Sequence, residues 1–284
     1  MANTFLTPSI IAREALVVLR NNAVMANLVH RDYSGEFVEG VGDTITIRKP
    51  AKFEAKEFTS EIELQDATEN KVDIKMDKHL DVSFAVTAKD MQMNIKDFSA
   101  QLLTPAMQGF IDKIDKYLLD LGGAVSNKVV QDSNVTRGDI VAARKFLTAN
   151  AAPLTERRFV YNSDTEADLL NTDLFISAEK VGDTGTALRE ASLGRKFGMD
   201  FYVDQNMDAG PKAIAFHKNA FALVTRMLYQ PQGAAKSAIM NYDGFGLRVV
   251  YGYDMTKKTD IISIDMLCGV KTLDEKLAAQ IAAS

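Results

Sequence analysis

One cysteine, Cys268, stands among 284 residues, which rules out an intrachain disulfide and any metal site built from several thiolates. Histidine is nearly as scarce. His30, His79 and His217 lie far apart, and none has an i, i+4 partner, so the HExxH zinc helix and its relatives are absent. No stretch approaches the ~20 consecutive apolar residues of a membrane-spanning helix, because Arg13 and Glu14 break even the run from Ala12 to Leu19. The opening MANTFLTPSI lacks the basic and apolar regions of a secretion signal, so an intracellular site of synthesis is expected, with no membrane partner. Without a secretory route, the sequon Asn134-Val135-Thr136 is a chance match. Positive charge is not in excess either. A net charge of -5 argues against a dedicated nucleic-acid binder, which neutralises phosphates with clustered lysine and arginine.

Phosphate-binding and nucleophile motifs are also missing. Gly35 and Gly40 have the spacing of a phosphate-binding loop, but Val41 stands where its lysine belongs. Gly244 and Gly246 begin a dinucleotide fingerprint that Val249 does not complete, and no G-x-S-x-G elbow occurs. Cys268 falls at an apolar strand end, where buried and inert thiols are usual. Asp112, Asp115 and Asp120 interleave with Lys113 and Lys116 and read as a solvated, charge-laced helix face. No catalytic residue, cofactor site or metal site is expected.

What is present is ordinary globular composition, 46% hydrophobic and 25% charged, enough for one sizeable core or two smaller ones. Thr7 and Pro8 open a helix that places Ile11, Ala15, Val18 and Leu19 on one face. It fits an amphipathic arm and an ordinary first core helix equally well. From Val41 to Ala88 the period changes to two, with strands at Thr44 to Arg48, Lys71 to Met76 and Leu80 to Val86. Val72, Ile74 and Met76 make one greasy face, and Lys71, Asp73 and Lys75 the opposite charged one. A two-stranded ribbon is marginal alone in water, so something covers its apolar face: another subunit, or its own domain. Asp97 to Leu121 is the strongest helix, with Leu103, Met107, Phe110, Ile114, Leu118 and Leu121 in register before Gly122 and Gly123, and Pro105 near its start. A helix from Thr136 with Asp139 three residues on, a helix led by Ser163-Asp164, and strands at Phe159, Asp200, Ala213 and Phe221 make a mixed α+β middle third. Gly246 to Tyr253 and Asp260 to Leu267 are expected to pair as a hairpin around MTKKT.

Several of these stretches resemble tailed-phage coat proteins of the HK97 fold, and the P22 coat-like family in particular. They are IIAREALVVLRNN in the opening arm, GVGDTITIRKP, GRKFGMDFYVDQNM from Gly194 to Met207, AFHKNAFALVTR from Ala215 to Arg226, and LRVVYGYDMTKKTDIISIDMLCGVKTL from Leu247 to Leu273. The resemblance touches nearly the whole chain through packing and turn patterns without chemical signatures. It implies an α+β fold with an N-terminal arm (1–40), an extended hairpin called the E-loop (41–88), a peripheral domain with a long spine helix (89–132), an axial domain (133–232), and C-terminal strands returning to the peripheral domain with a tail (233–284). A full insertion domain does not fit between Gln230 and Tyr242.

The implied function is a major capsid protein that assembles with itself, as hexamers and pentamers, into an icosahedral shell around double-stranded DNA held loosely. Scaffolding and portal proteins are the implied partners, and the virion the implied location. Val72, Ile74 and Met76, with Arg48, Lys49, Lys52 and Lys56 meeting acidic neighbours, are the contact residues expected between subunits. Two other classes of function are compatible with the sequence: an encapsulin-like compartment around a protein cargo, and a cytosolic α+β enzyme with a site assembled from scattered residues.

Overall fold

The computed structural model describes residues 10–15, 17, 23–31, 44–49, 70–87, 103–172, 193–207, 211–233, 236–242 and 245–284. The expected helix opening at Thr7 and Pro8, the loop centre with Lys52 and Lys56, and the helix start from Asp97 to Leu102 lie outside these residues.

Two large sheets organise the described residues. The first has the order β10-β11-β12-β3, with β9 (Phe221–Arg226) also on β12. Its strands are β3 (Lys78–Thr87), β10 (Lys236–Tyr242), β11 (Phe245–Asp254) and β12 (Thr259–Thr272). The expected hairpin is there: β11 and β12 pair from Arg248↔Asp265 to Asp254↔Thr259. β12 runs on for 14 residues, so its first part meets β3 and its last part, Leu267 to Thr272, meets β9.

Against the inner face of this sheet lies α2 (Thr104–Gly123), a 20-residue helix about 30 Å long. Pro105 falls in its first turn, where a missing N–H costs no hydrogen bond. The stripe Met107, Phe110, Ile114 and Leu118 is buried as its spacing predicts, against Leu247, Val249, Ile262, Ile264 and Met266 of the sheet. A short helix α1 (Met25–Leu28) packs on α2. Ile11, Ala12 and Ala15, from a helical stretch over 10–15, are buried in the same core, which is the core-helix alternative for this segment.

The second sheet has the order β4-β13-β8-β5-β7-β6. It comprises β4 (Lys128–Val130), β5 (Arg157–Tyr161), β6 (Arg195–Lys196), β7 (Met199–Val203), β8 (Ala213–His217) and β13 (Ala278–Ala282). α3 (Arg137–Ala149) packs across it through Ile140, Ala143 and Leu147. The Asp139 carboxylate accepts from the Thr136 backbone N–H at 2.8 Å and from its hydroxyl at 2.7 Å, closing the expected box at the start of α3. α4 (Ser163–Leu170) is capped by Asn162, whose side chain accepts from Thr165 N–H at 2.9 Å.

Three strands, β4, β9 and β13, cross the division drawn from sequence at residues 132 and 232. β9, on the axial side of residue 232, pairs with β12, and the tail forms β13, which pairs with β8 and β4. β13 comes from Ala278-Ala279-Gln280-Ile281, whose small buried side chains fit between two strands, while Gln280 Nε2 donates to the Val125 carbonyl at 2.6 Å.

The charge-laced reading of α2 fails at one residue. Asp115 is buried, where its carboxylate oxygens accept from Val24 N–H at 3.1 Å and Ala26 N–H at 3.0 Å and so fasten the N-terminal segment to the long helix. Burial, and secondarily the charge of Asp204, pushes its pKa up to about 7. The unfolded value is ~3.9, so the folded state binds the proton more tightly. This contribution to stability is fully present below about pH 4 and is lost as pH rises through about 7. The thermal midpoint should therefore fall between about pH 4 and pH 7 and level off above, and Asp115→Asn should flatten that fall. An identical slope in the variant would refute the assignment.

Candidate assembly surfaces

β1 (Thr44–Lys49) and β2 (Asn70–Lys75) form the expected antiparallel ribbon, in a register that sets Ile45 opposite Ile74 and Ile47 opposite Val72. On its charged face Thr46 donates to Asp73 at 2.6 Å. β2 passes through Met76 and Asp77 directly into β3, so the ribbon is a separate two-stranded sheet joined to the first sheet through the chain.

Its apolar face is covered at the base by its own chain. Ile45, Ile47, Ile74 and Met76 are buried with Ala222 and Val224 of β9 and with Leu273, while Val72 and Leu267 pack alongside half-buried. Ile74 is 0% exposed and Met76 3%, so these two, expected to contact a second subunit, are instead turned into their own fold. Of the basic residues, Arg48 and Lys49 occupy the last two positions of β1, leading into the segment that carries Lys52 and Lys56. The cover was hidden in β9, where Phe221 and Leu223 face the main core and Ala222 and Val224 face the ribbon. A strand buried on both faces reads as an unbroken apolar run, FALV, and that run was the available signal.

The ribbon crosses β12 at Gly269. A Cβ there would lie 2.6 Å from the Lys75 carbonyl oxygen and 3.2 Å from Met76 Cα. The two backbones touch because residue 269 has no side chain.

The outer face of the first sheet carries a charged row. Asp265, 4% exposed, sits between Arg248 on β11 and Asp81 on β3. Arg248 grips it with two donors, Nε to Oδ1 at 2.8 Å and Nη2 to Oδ2, and its Nη1 donates to the Tyr229 carbonyl at 2.6 Å. The exposed His79 imidazole approaches Asp265 Oδ2 at 3.3 Å. Asp81 accepts from Ser263 at 2.8 Å and from Ser83 at 3.0 Å. One arginine thus faces two carboxylates in this row.

The β11–β12 turn is preformed. Asp254 Oδ1 accepts from Thr256 N–H at 2.8 Å and from Lys257 N–H at 3.2 Å, and Lys258 takes a φ of 51°. Met255 at the tip is 83% exposed, with Tyr253 beside it also exposed. An ordered turn that displays a large apolar side chain is suited to contact with another surface.

The groups considered for chemistry are occupied or inert. Cys268 is buried in β12, and burial pushes its thiol up to about 12, far from a reactive thiolate. His217 is buried in the second sheet, its Nδ1 accepting from Asn219 N–H at 3.2 Å. Desolvation lowers its pKa. Among the described residues, no group of three or more His, Cys, Asp or Glu is placed to hold a metal ion.

No protein-family model matches the sequence, and no curated protein matches it. Solved structures do match by fold. A structure from Mycobacterium phage Che8 superimposes with a TM-score of 0.70 at 19% identity, covering 92% of this chain and 91% of that one. The capsid of cyanophage P-SCSP1u gives 0.61 at 14% identity, over 86% and 84%. A virus-like particle from Pyrococcus furiosus gives 0.56 at 12% identity, over 95% and 97%. The arrangement described above, a long helix beneath one sheet, a ribbon running out of it and a second sheet crossed by a shorter helix, is the α+β, HK97-like fold of phage capsid subunits.

Proposed function

We propose that the chain is the major coat subunit of a tailed-phage shell, and that its work is assembly, not catalysis. The observation that carries this reading is the likeness of fold, over 92% and 86% of the chain, to a structure from Mycobacterium phage Che8 and to the cyanophage capsid. In this reading the first sheet with α2 is the peripheral body and the second sheet with α3 the axial one, near the five-fold and quasi-six-fold axes. The boundaries at residues 40, 88, 132 and 232 belong to the same proposal, except that β9 joins the peripheral body and β4 and β13 join the axial one. One surface meets its neighbours in slightly different settings around those axes. Each contact of standard size buries on the order of 1,600 Å², so weak pairs accumulate into a durable shell.

The ribbon divides its labour. Ile74 and Met76 seat its base on its own subunit, which leaves Arg48, Lys49, Lys52 and Lys56 to reach acidic groups of the next one. Charge complementarity at such a rim steers association and fixes register more than it adds affinity. With a net charge of -5, the shell holds double-stranded DNA without gripping it. Scaffolding and portal proteins complete the proposed set of partners, and the virion is the proposed location.

A second reading, a compartment around a protein cargo, is favoured by the fold likeness to the Pyrococcus furiosus virus-like particle. Contents separate the two. Particles recovered from an infected or expressing cell and treated with nuclease are expected to retain protected double-stranded DNA. Retention of one stoichiometric protein and no DNA would establish the cargo reading, and failure to recover particles from any source would overturn both.

A further inference from the structure

The first sheet ends on one side at β10. Its pairing with β11 closes at Tyr242↔Phe245 across a two-residue connection, and that of β11 with β12 closes at Asp254↔Thr259. Closing pairs of such hairpins exchange their hydrogen bonds, and alternate residues then point to opposite sides of the strand. The two ladders agree in parity: Phe245, Leu247, Val249 and Tyr251 turn their backbone groups to β10, and Gly246, Arg248, Val250, Gly252 and Asp254 turn theirs to β12. Lys236, Ala238, Met240 and Tyr242 are therefore spent on β11, whereas the N–H and C=O groups of Ser237, Ile239 and Asn241 point outward. Among the described residues no strand pairs with that outer edge.

Soluble proteins guard such edges with a central charge, a proline, a bulge or a very short strand. β10 has none of these. It runs for seven residues in unbroken register, without proline, and its one charge, Lys236, stands at its very beginning. β3, on the opposite edge, carries Lys78, His79 and Asp81.

We propose that β10 is a strand-addition site whose partner is β10 of a second copy of this chain, antiparallel about Ile239, so that two sheets join into one across a two-fold axis. Only outward residues can exchange bonds across the new ladder, so odd positions face odd positions. The register centred on Ile239 uses all three of them, Ser237↔Asn241, Ile239↔Ile239 and Asn241↔Ser237, for about six hydrogen bonds. It sets Ala238 opposite Met240, small against large. The two Lys236 lie at opposite ends, about 20 Å apart and beyond the ~8 Å screening length, so the charges do not oppose pairing. The two-fold this requires is one that a closed shell of identical subunits provides. The inference rests on the shell reading for the place of the contact and on β10 alone for its geometry.

Cysteine cross-linking reads the register directly. In a hydrogen-bonded antiparallel pair opposite Cα atoms are ~5.5 Å apart, within disulfide range. Two residues at 237 would be about 13 Å apart and out of range. Cys268 is buried and stays out of the reaction. Oxidised assemblies of Ile239→Cys are expected to run as a covalent dimer without reductant. Ser237→Cys should stay monomeric, and the pair Ser237→Cys with Asn241→Cys should regain the dimer. Particles that form normally while Ile239→Cys stays monomeric would overturn this contact and leave the shell reading standing. Cross-linked dimers that never build particles would support the contact and count against the shell. Should Ile239→Cys fold poorly, the 237/241 pair carries the same test from two sites at the ends of the ladder.

Discussion

Gly269→Ala is expected to lower the thermal midpoint of the unassembled subunit by about 5–10 °C, a cost of about 3 kcal/mol, with Gly269→Val lowering it further. The new methyl would meet the Lys75 carbonyl oxygen at 2.6 Å, the Lys75 carbonyl carbon at 3.1 Å and Met76 Cα at 3.2 Å, all of them backbone atoms. No rotamer change relieves such a clash, so β12 and the end of β2 must part. That separation opens the packing of Ile74 and Met76 on Ala222, Val224 and Leu273, which holds the ribbon to its own subunit. Hydrogen exchange should rise over 70–76 and 221–226 and stay unchanged across α3. Scanning calorimetry with exchange mass spectrometry checks both expectations. An unaltered midpoint would mean that the close approach at Gly269 is not what seats the ribbon.

The second large effect belongs to Asp265. Removing one partner of a buried ion pair leaves an uncompensated charge and typically costs 3–5 kcal/mol. The Arg248 side chain retains 19% exposure, so water recovers part of that loss and about 2–3 kcal/mol is expected for Asp265→Ala. His79→Ala should cost well under 1 kcal/mol, because the imidazole is largely exposed and its approach to Asp265 is long. Arg248→Met combined with Asp265→Leu should recover much of the stability lost in either single change, since no buried charge then remains. Urea midpoints at pH 7 rank the variants. Equal costs for Asp265→Ala and His79→Ala would show that the arginine fork does not bear on stability. Arg248 also donates to the Tyr229 carbonyl, so Asp265→Ala is expected to loosen the stretch from Met227 to Gly233 that leads toward β10.

Much of this fold is legible where one local rule governs. The buried stripe of α2, the Thr136 and Asp139 box and the β11–β12 hairpin each follow from spacing or capping chemistry confined to a few residues. Asp115 was legible too, and misread. It continues the row Ile111, Asp115 and Leu118 at i, i+4 and i+7, so its position is a core position whatever the flanking lysines suggest. β13 was not legible. Glu275 to Ala283 is rich in helix formers, and the tail becomes a strand because β4 and β8 leave a slot that alanines can fill. The assembly surfaces divide in the same way. Alternation along Val72, Ile74 and Met76 tells that one face is greasy, but only the fold tells that β9 covers it. The edge of β10 carries no signal in side-chain type, since its capacity lies in backbone groups that every sequence possesses.

The most direct test of the proposed coat function is electron microscopy of the purified protein, alone and with any candidate scaffolding protein, with light scattering on the same sample. The proposed function predicts closed shells or curved sheets of megadalton mass built from the 31.2 kDa chain. A discrete monomer or dimer under every condition, scaffold included, would contradict it and move a soluble α+β enzyme to first place.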